Sequence, residues 1–214
     1  MTTAASIRLS DQQHLVLHGM PWSFYEDVLA ADANCRLRVT FDEGSIEMMA
    51  PLAEHEGSGE AIGALIDFLV VERGIPSARF GSTTFRREDR LKGLEPDKCY
   101  YFANASRVRG MKDFDSAIHP PPDLAIEIDI TSRSIAREPI YAALGVPELW
   151  RYDGKALAVL LLNSKGKYAK RASSRVLPFL PIDRFEAFIH RMESEEQTSV
   201  LREFRDWVRS FPPE

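Results

Sequence analysis

The chain has 214 residues, 44% of them hydrophobic and 28% charged, a balance that supports one sizeable core and excludes a disordered or collagen-like polymer. Its 27 Lys and Arg against 32 Asp and Glu leave a net charge of -5, so any contact with nucleic acid must be local rather than spread over a basic surface. Only Cys35 and Cys99 are present, without metal-ligand spacing, and neither a secretory leader nor an apolar run of membrane-spanning length is found, which together point to the reducing cytoplasm and to no membrane partner.

Ser23 and Glu26, in the order S-x-x-E, form a capping-box pattern that opens a short helix through about Ala31. Leu37 to Phe41 and Ser45 to Met49 then flank Asp42-Glu43-Gly44, which predicts a hairpin. From Glu54 to Arg73 the residues Ile62, Leu65, Ile66, Leu69 and Val70 recur at helical spacing, with Gly74 as the stop. Gly57, Gly59 and Gly63 each cost this helix about 1 kcal/mol relative to Ala, which predicts close approach of a backbone or a ligand. Ala78 to Arg86 and Asp97 to Phe102 read as strands on either side of a charged turn over 87–96, and 107–122 is too rich in charge and proline for regular structure.

The clearest strand follows, in which Leu124, Ile126, Ile128 and Ile130 alternate with Asp123, Ala125, Glu127 and Asp129. A helix from Ser134 to Leu144 stops at Gly145, and Glu148 to Asp153, Ala156 to Asn163 and Tyr168 to Arg171 supply further strands. Helical periodicity returns over 184–211 with two apolar sets, Phe185 to Met192 and Leu201 to Phe211. The pattern is mixed α/β, read as one domain over 1–183 with an N-terminal lead-in, followed by a helical tail over 184–214.

Three carboxylates on one strand face repel one another unless a cation, a base or water separates them, and a divalent metal relieves that repulsion most completely. The competing reading is the solvated face of an edge strand. At roughly 3.3 Å per residue, Asp123 and Glu127 stand about 13 Å apart and cannot share an ion, whereas Glu127 and Asp129, about 6.5 Å apart, can. A metal would need a further carboxylate from a neighbouring strand. Asp97, in Glu95-Pro96-Asp97, either supplies it or serves as a turn residue at the strand entry.

Glu95-Pro96-Asp97, then Pro122-Asp123-Leu124-Ala125-Ile126-Glu127 with Ser132 behind it, then Tyr141-Ala142-Ala143-Leu144-Gly145-Val146-Pro147-Glu148-Leu149-Trp150, form an ordered series, joined by Ala50-Pro51 and His55 at the head of the long helix. The series resembles the Uma-two (Uma2) family of restriction endonucleases, from about Trp22 to Phe188. The resemblance implies the PD-(D/E)XK core, a restriction-endonuclease-like mixed sheet flanked by helices, and a metal-dependent endonuclease acting on DNA. It places Asp97 and Glu127 as ligands of Mg²⁺ or Mn²⁺ and His55 facing the substrate phosphate or orienting a ligand. The superfamily's lysine, two residues after the second acid, is Asp129 here. In the family it moves to the following helix, where this chain has Arg137.

Arginine clamps a phosphate but stays protonated and cannot act as a base, so a second reading is a weakened or inactive nuclease fold that binds nucleic acid or protein. Lys92 and Lys98 are candidate substitutes for the missing lysine. Two basic stretches, Arg86, Arg87, Arg90 and Lys92, and Arg107, Arg109 and Lys112, either track a nucleic-acid backbone or are solvated loops. The apolar stripe Leu201, Phe204, Trp207, Val208 and Phe211 must be buried on its own subunit or across a two-fold axis, and the expected state is a homodimer.

Overall fold

The computed structural model describes residues 14–31, 37–50, 53–81, 83–130 and 134–212. The expected hairpin is present as β2 (Arg38–Asp42) and β3 (Ser45–Met49). Glu43 and Gly44 both take positive φ, 47° and 90°, the backbone of a two-residue turn that matches strand twist. With β1 (His14–Leu17), β5 (Phe85–Arg87) and β6 (Lys92–Leu94), it forms a small antiparallel sheet in the order β1-β3-β2-β6-β5. The lead-in is thus completed by strands at 85–87 and 92–94, the second inside the charged 87–96 run, and three-residue segments are too short to show a period.

The expected strand over Ala78 to Arg86 is accordingly two strands in different sheets. β4 (Ala78–Phe80) pairs with β7 (Lys98–Tyr101), while β5 pairs with β6. The large sheet adds β8 (Leu124–Ile128), β9 (Glu148–Tyr152), β10 (Leu157–Leu162) and β11 (Tyr168–Arg171), in the order β11-β10-β9-β8-β7-β4. Only β8 and β9 run parallel, and the crossover this requires is α3 (Arg137–Leu144). The sheet is mixed and flanked by helices, as the sequence reading expects.

One face of the large sheet carries Leu124, Ile126 and Ile128 against α2 (Ala53–Glu72), α4 (Ile182–Ser194) and α5 (Gln197–Arg209). Gly59 and Gly63 on α2 make room for the Lys98 stem and the Tyr100 hydroxyl, which donates to the Gly63 carbonyl at 3.3 Å. The other face packs on Ile140, Tyr141 and Leu144 of α3 and on Phe85 and Leu94 of the small sheet. β8 therefore lies inside the sheet with both faces buried, and the solvated-edge reading of its carboxylates does not hold.

The tail does not project. Glu196 caps α5 by accepting from the Thr198 and Ser199 amides, turning the chain back so that Val200, Phe204 and Val208 are fully buried against α2 and α4. The stripe that suggested a homodimer is covered by its own chain, and Leu201, Trp207 and Phe211 pack at its margin.

Under the small sheet, α1 (Trp22–Ala31) buries Trp22 and Tyr25 against Phe41. The Tyr25 ring stacks on Phe41 at 5.2 Å and crosses Gly93, where a Cβ would fall 2.4 Å from its hydroxyl and 2.7 Å from the ring. Because the ring is wholly buried it cannot yield, and Gly93→Ala should lose about 1–3 kcal/mol in urea unfolding. A wild-type midpoint for that variant would show that the ring has room to move.

All six tyrosines, Tyr25, Tyr100, Tyr101, Tyr141, Tyr152 and Tyr168, are held above the ordinary phenol range, in each case chiefly by burial. A raised folded-state value means that the folded chain keeps protons the unfolded chain loses, so this stability is complete below pH 10.0 and is lost as pH climbs past it. Tyrosinate absorbance and loss of circular dichroism should rise together in an alkaline titration. Phenolate appearing well before unfolding would contradict this.

Candidate active site

Asp97 stands just before β7, where Pro96 restricts the chain's entry. The antiparallel register pairs Lys98 with Ile126, and one further step sets Asp97 opposite Glu127. Asp97 is fastened across that register. Its amide donates to the Ile126 carbonyl at 3.2 Å, and its Oδ2 accepts from the Ile128 amide at 2.6 Å. Since neighbouring strand residues face opposite ways, Lys98 points to the α2 side, where it bonds Glu60 at 2.5 Å. Lys92 bonds Asp42 in the small sheet. Neither lysine replaces the missing one.

Glu127 is buried and accepts from the Tyr141 hydroxyl on α3. Burial first and Glu127 second hold that phenol well above its ordinary range, so Tyr141 remains a donor. Asp123 and Asp129 serve elsewhere. Asp123 takes the Phe102 amide at 2.7 Å and the Asn104 side chain at 2.8 Å, closing the loop after β7. Asp129 takes Arg151 Nε at 2.7 Å, and Arg151 also binds Glu138 on α3.

Two residues that carry no signal in the motif series complete the cluster. Arg38 on β2 meets Asp97 Oδ1 at 2.5 Å and Glu56 at 3.0 Å. Burial alone would lower its pKa, but the two carboxylates outweigh burial and hold it above the ordinary value. Glu47 on β3 is 1% exposed; its Oε1 accepts from the Ser134 amide at 3.0 Å, and its buried Oε2 has no hydrogen bond. The bond takes the Ser134 amide, and α3 begins at Arg137 rather than at Ser134. One signal was present in the sequence: an acid flanked by apolar residues in Ser45-Ile46-Glu47-Met48-Met49, a segment that becomes an interior strand between β1 and β2.

Arg137 opens α3 and is 7% exposed. Its Nη1 lies 3.9 Å from Glu127 and its Nη2 3.8 Å from Glu47, and none of its three guanidinium nitrogens makes a hydrogen bond. A buried guanidinium without hydrogen bonds is costly and is balanced only by the carboxylates on either side. Beside it lies a cleft of about 840 Å³, lined by Glu127, Asp129, Arg137, Arg151, Lys167 and Tyr168 among others.

The donor chemistry suits a hard divalent cation. Asp97, Glu127 and Glu47 offer only carboxylate oxygens, and Glu47 Oε2 is a buried acceptor without a hydrogen bond. In the present arrangement Arg38 and Arg137 supply the positive charge, and among the described residues no three His, Cys, Asp or Glu close on one point. His55 lies in the first turn of α2, with its side chain outside the described residues, as are Pro51 and Ser132. The basic stretch at 86–92 is largely paired internally: Arg87 and Arg90 with Asp89, Lys92 with Asp42 and Glu43.

The Uma2 family model, described as "Putative restriction endonuclease", matches residues 23–187. No curated protein matches the chain. Among solved structures, "a putative nuclease belonging to DUF820 from Anabaena variabilis ATCC 29413" is similar at 15% identity, over 79% of this chain and 90% of that one, with a TM-score of 0.44. No helix among the described residues is long and apolar enough to cross a membrane. Because the family match takes in most of the sequence, including Asp97, Glu127 and Arg137, the chain belongs to the Uma2 family.

Proposed function

We propose that the protein is a metal-dependent endonuclease that hydrolyses phosphodiester bonds of DNA. The observation that carries this reading is Arg137, a buried guanidinium that makes no hydrogen bond, set between Glu127 and Glu47 at the wall of an open cleft. An anionic phosphate in the cleft would give these buried nitrogens the acceptors they lack once the Arg137 side chain turns outward. Asp97 and Glu127 would hold the Mg²⁺ or Mn²⁺, which when bound supplies Lewis acidity and an acidified water. Tyr141 fixes one oxygen of Glu127, and Glu47 restrains Arg137 and the segment entering α3.

A second reading, a nuclease fold that binds without cutting, is favoured by one contact: Arg38 already neutralises Asp97. Supercoiled plasmid incubated with Mg²⁺, Mn²⁺ or EDTA separates the two. Nicking that needs the ion and vanishes in Glu127→Ala supports hydrolysis, and intact plasmid under all conditions supports the binding module. Calorimetry adds a readout free of turnover. Glu127→Ala should weaken Mn²⁺ binding at least about tenfold, since one of two hard ligands is gone, and unchanged affinity would reject the site.

A further inference from the structure

Between Asp153 and Asp183 the sequence has no acidic residue but six basic ones, Lys155, Lys165, Lys167, Lys170, Arg171 and Arg175, in a chain whose net charge is -5. The stretch forms β10, the turn at Asn163 to Gly166, edge strand β11 and the segment leading to α4. All six cations are exposed, and none makes an ion pair among the described residues. Elsewhere the chain pairs its cations freely: Arg79 with Asp67, Arg151 with Asp129 and Glu138, Arg191 with Glu195 and Glu203, Arg209 with Glu72.

Position adds to charge. Gly166, Lys167 and Tyr168 line the same cleft as Glu127 and Arg137. Tyr168 turns to the α3 side of the sheet and donates to the Val146 carbonyl at 2.6 Å, which fixes the hairpin against the body. Strand alternation puts Lys170 on that same side, so the cleft-lining Lys167 stands between Lys170 on the strand and Lys165 at the turn. Lysines also discourage edge pairing, but that task needs them on β11 alone, and Lys165, Lys167 and Arg175 lie outside the strand.

We infer that the β10–β11 hairpin is the docking surface for the phosphate backbone of duplex DNA, guiding it into the cleft. The inference rests on the nuclease reading for the identity of the occupant. Positive charge without internal partners is what releases counterions on binding a polyanion; of the two basic stretches singled out from sequence, the first is neutralised by Asp42, Glu43 and Asp89, and the second supplies no residue to the cleft lining.

The test is fluorescence anisotropy of a short labelled DNA duplex in EDTA, where no cleavage occurs, over a range of salt. Lys165→Glu/Lys167→Glu/Lys170→Glu is compared with Arg107→Glu/Arg109→Glu/Lys112→Glu, which changes net charge equally at another place. A Lys→Gln version of the hairpin variant removes charge without reversing it. The turn bonds of Lys165 and Lys167 use their backbone amides, so both hairpin variants keep the fold's contacts. The hairpin changes should weaken binding at least about tenfold and flatten the salt dependence by about three counterions, with the loop variant near wild type. Equal losses in the two sets, or unchanged affinity in the hairpin set, overturn the inference, as does tighter binding of an RNA duplex of the same sequence. Wild type that binds but never cuts refutes hydrolysis and leaves the hairpin standing. Cleavage that survives the hairpin changes with full affinity does the reverse.

Discussion

Glu148→Ala is expected to cost about 3–5 kcal/mol, a large share of the roughly 5–15 kcal/mol that holds a domain of this kind folded. Glu148 opens β9 wholly buried, and it makes no ion pair among the described residues. Three donors replace one: Trp150 Nε1 at 2.7 Å on Oε1, and the amides of Arg175 at 2.8 Å and Val176 at 3.1 Å on Oε2. Alanine leaves all three without an acceptor in a dry interior, and it unfastens the segment that carries the chain from β11 into α4. Glu148→Gln keeps the shape but turns an amide donor toward other donors, so it should fall between alanine and wild type. Urea unfolding of the three proteins gives the ranking, and an alanine variant within about 1 kcal/mol of wild type would show that water or a shifted backbone replaces the carboxylate.

The second large effect is on turnover. Arg137→Ala removes a buried cation at the cleft wall and should reduce plasmid nicking by about 10²–10³-fold, the loss typical of a single group that stabilises developing charge. Arg137→Lys tests the nature of the cation. Its ammonium is compact and readily shares protons, whereas the guanidinium does not, so nicking faster than wild type is expected. Brisk wild-type cleavage left unchanged by lysine would mean that arginine already suffices there.

The pairing of Asp97 with Glu127 comes from the ordered motifs and not from spacing, which allows Glu127 with Asp129 equally; the register sets Asp97, just before one strand, opposite Glu127 within the next. Alternation also separated the isoleucines from the acids correctly. What it could not reveal was whether the acid face meets water or α3, since that depends on a crossover and on a second sheet. Arg38 and Glu47 were out of reach for the same reason. Both lie on a hairpin, but their partners are far along the chain: Pro96 and Asp97 for Arg38, Ser134 and Arg137 for Glu47. The tail shows the converse: its stripe was plain in the sequence, while the surface covering it was decided by the turn at Glu196.

The cluster also has a history within each molecule. Arg38 reaches the Pro96 carbonyl across 58 residues and Glu47 reaches the Ser134 amide across 87, so the geometry of this cluster is among the last things the chain can complete. During synthesis the N-terminal hairpin emerges first and waits for β5, β6 and finally α3. A growing chain halted anywhere before Arg137 therefore lacks the finished constellation, and the cluster of buried acids and arginines exists only in molecules whose two sheets have already closed on each other.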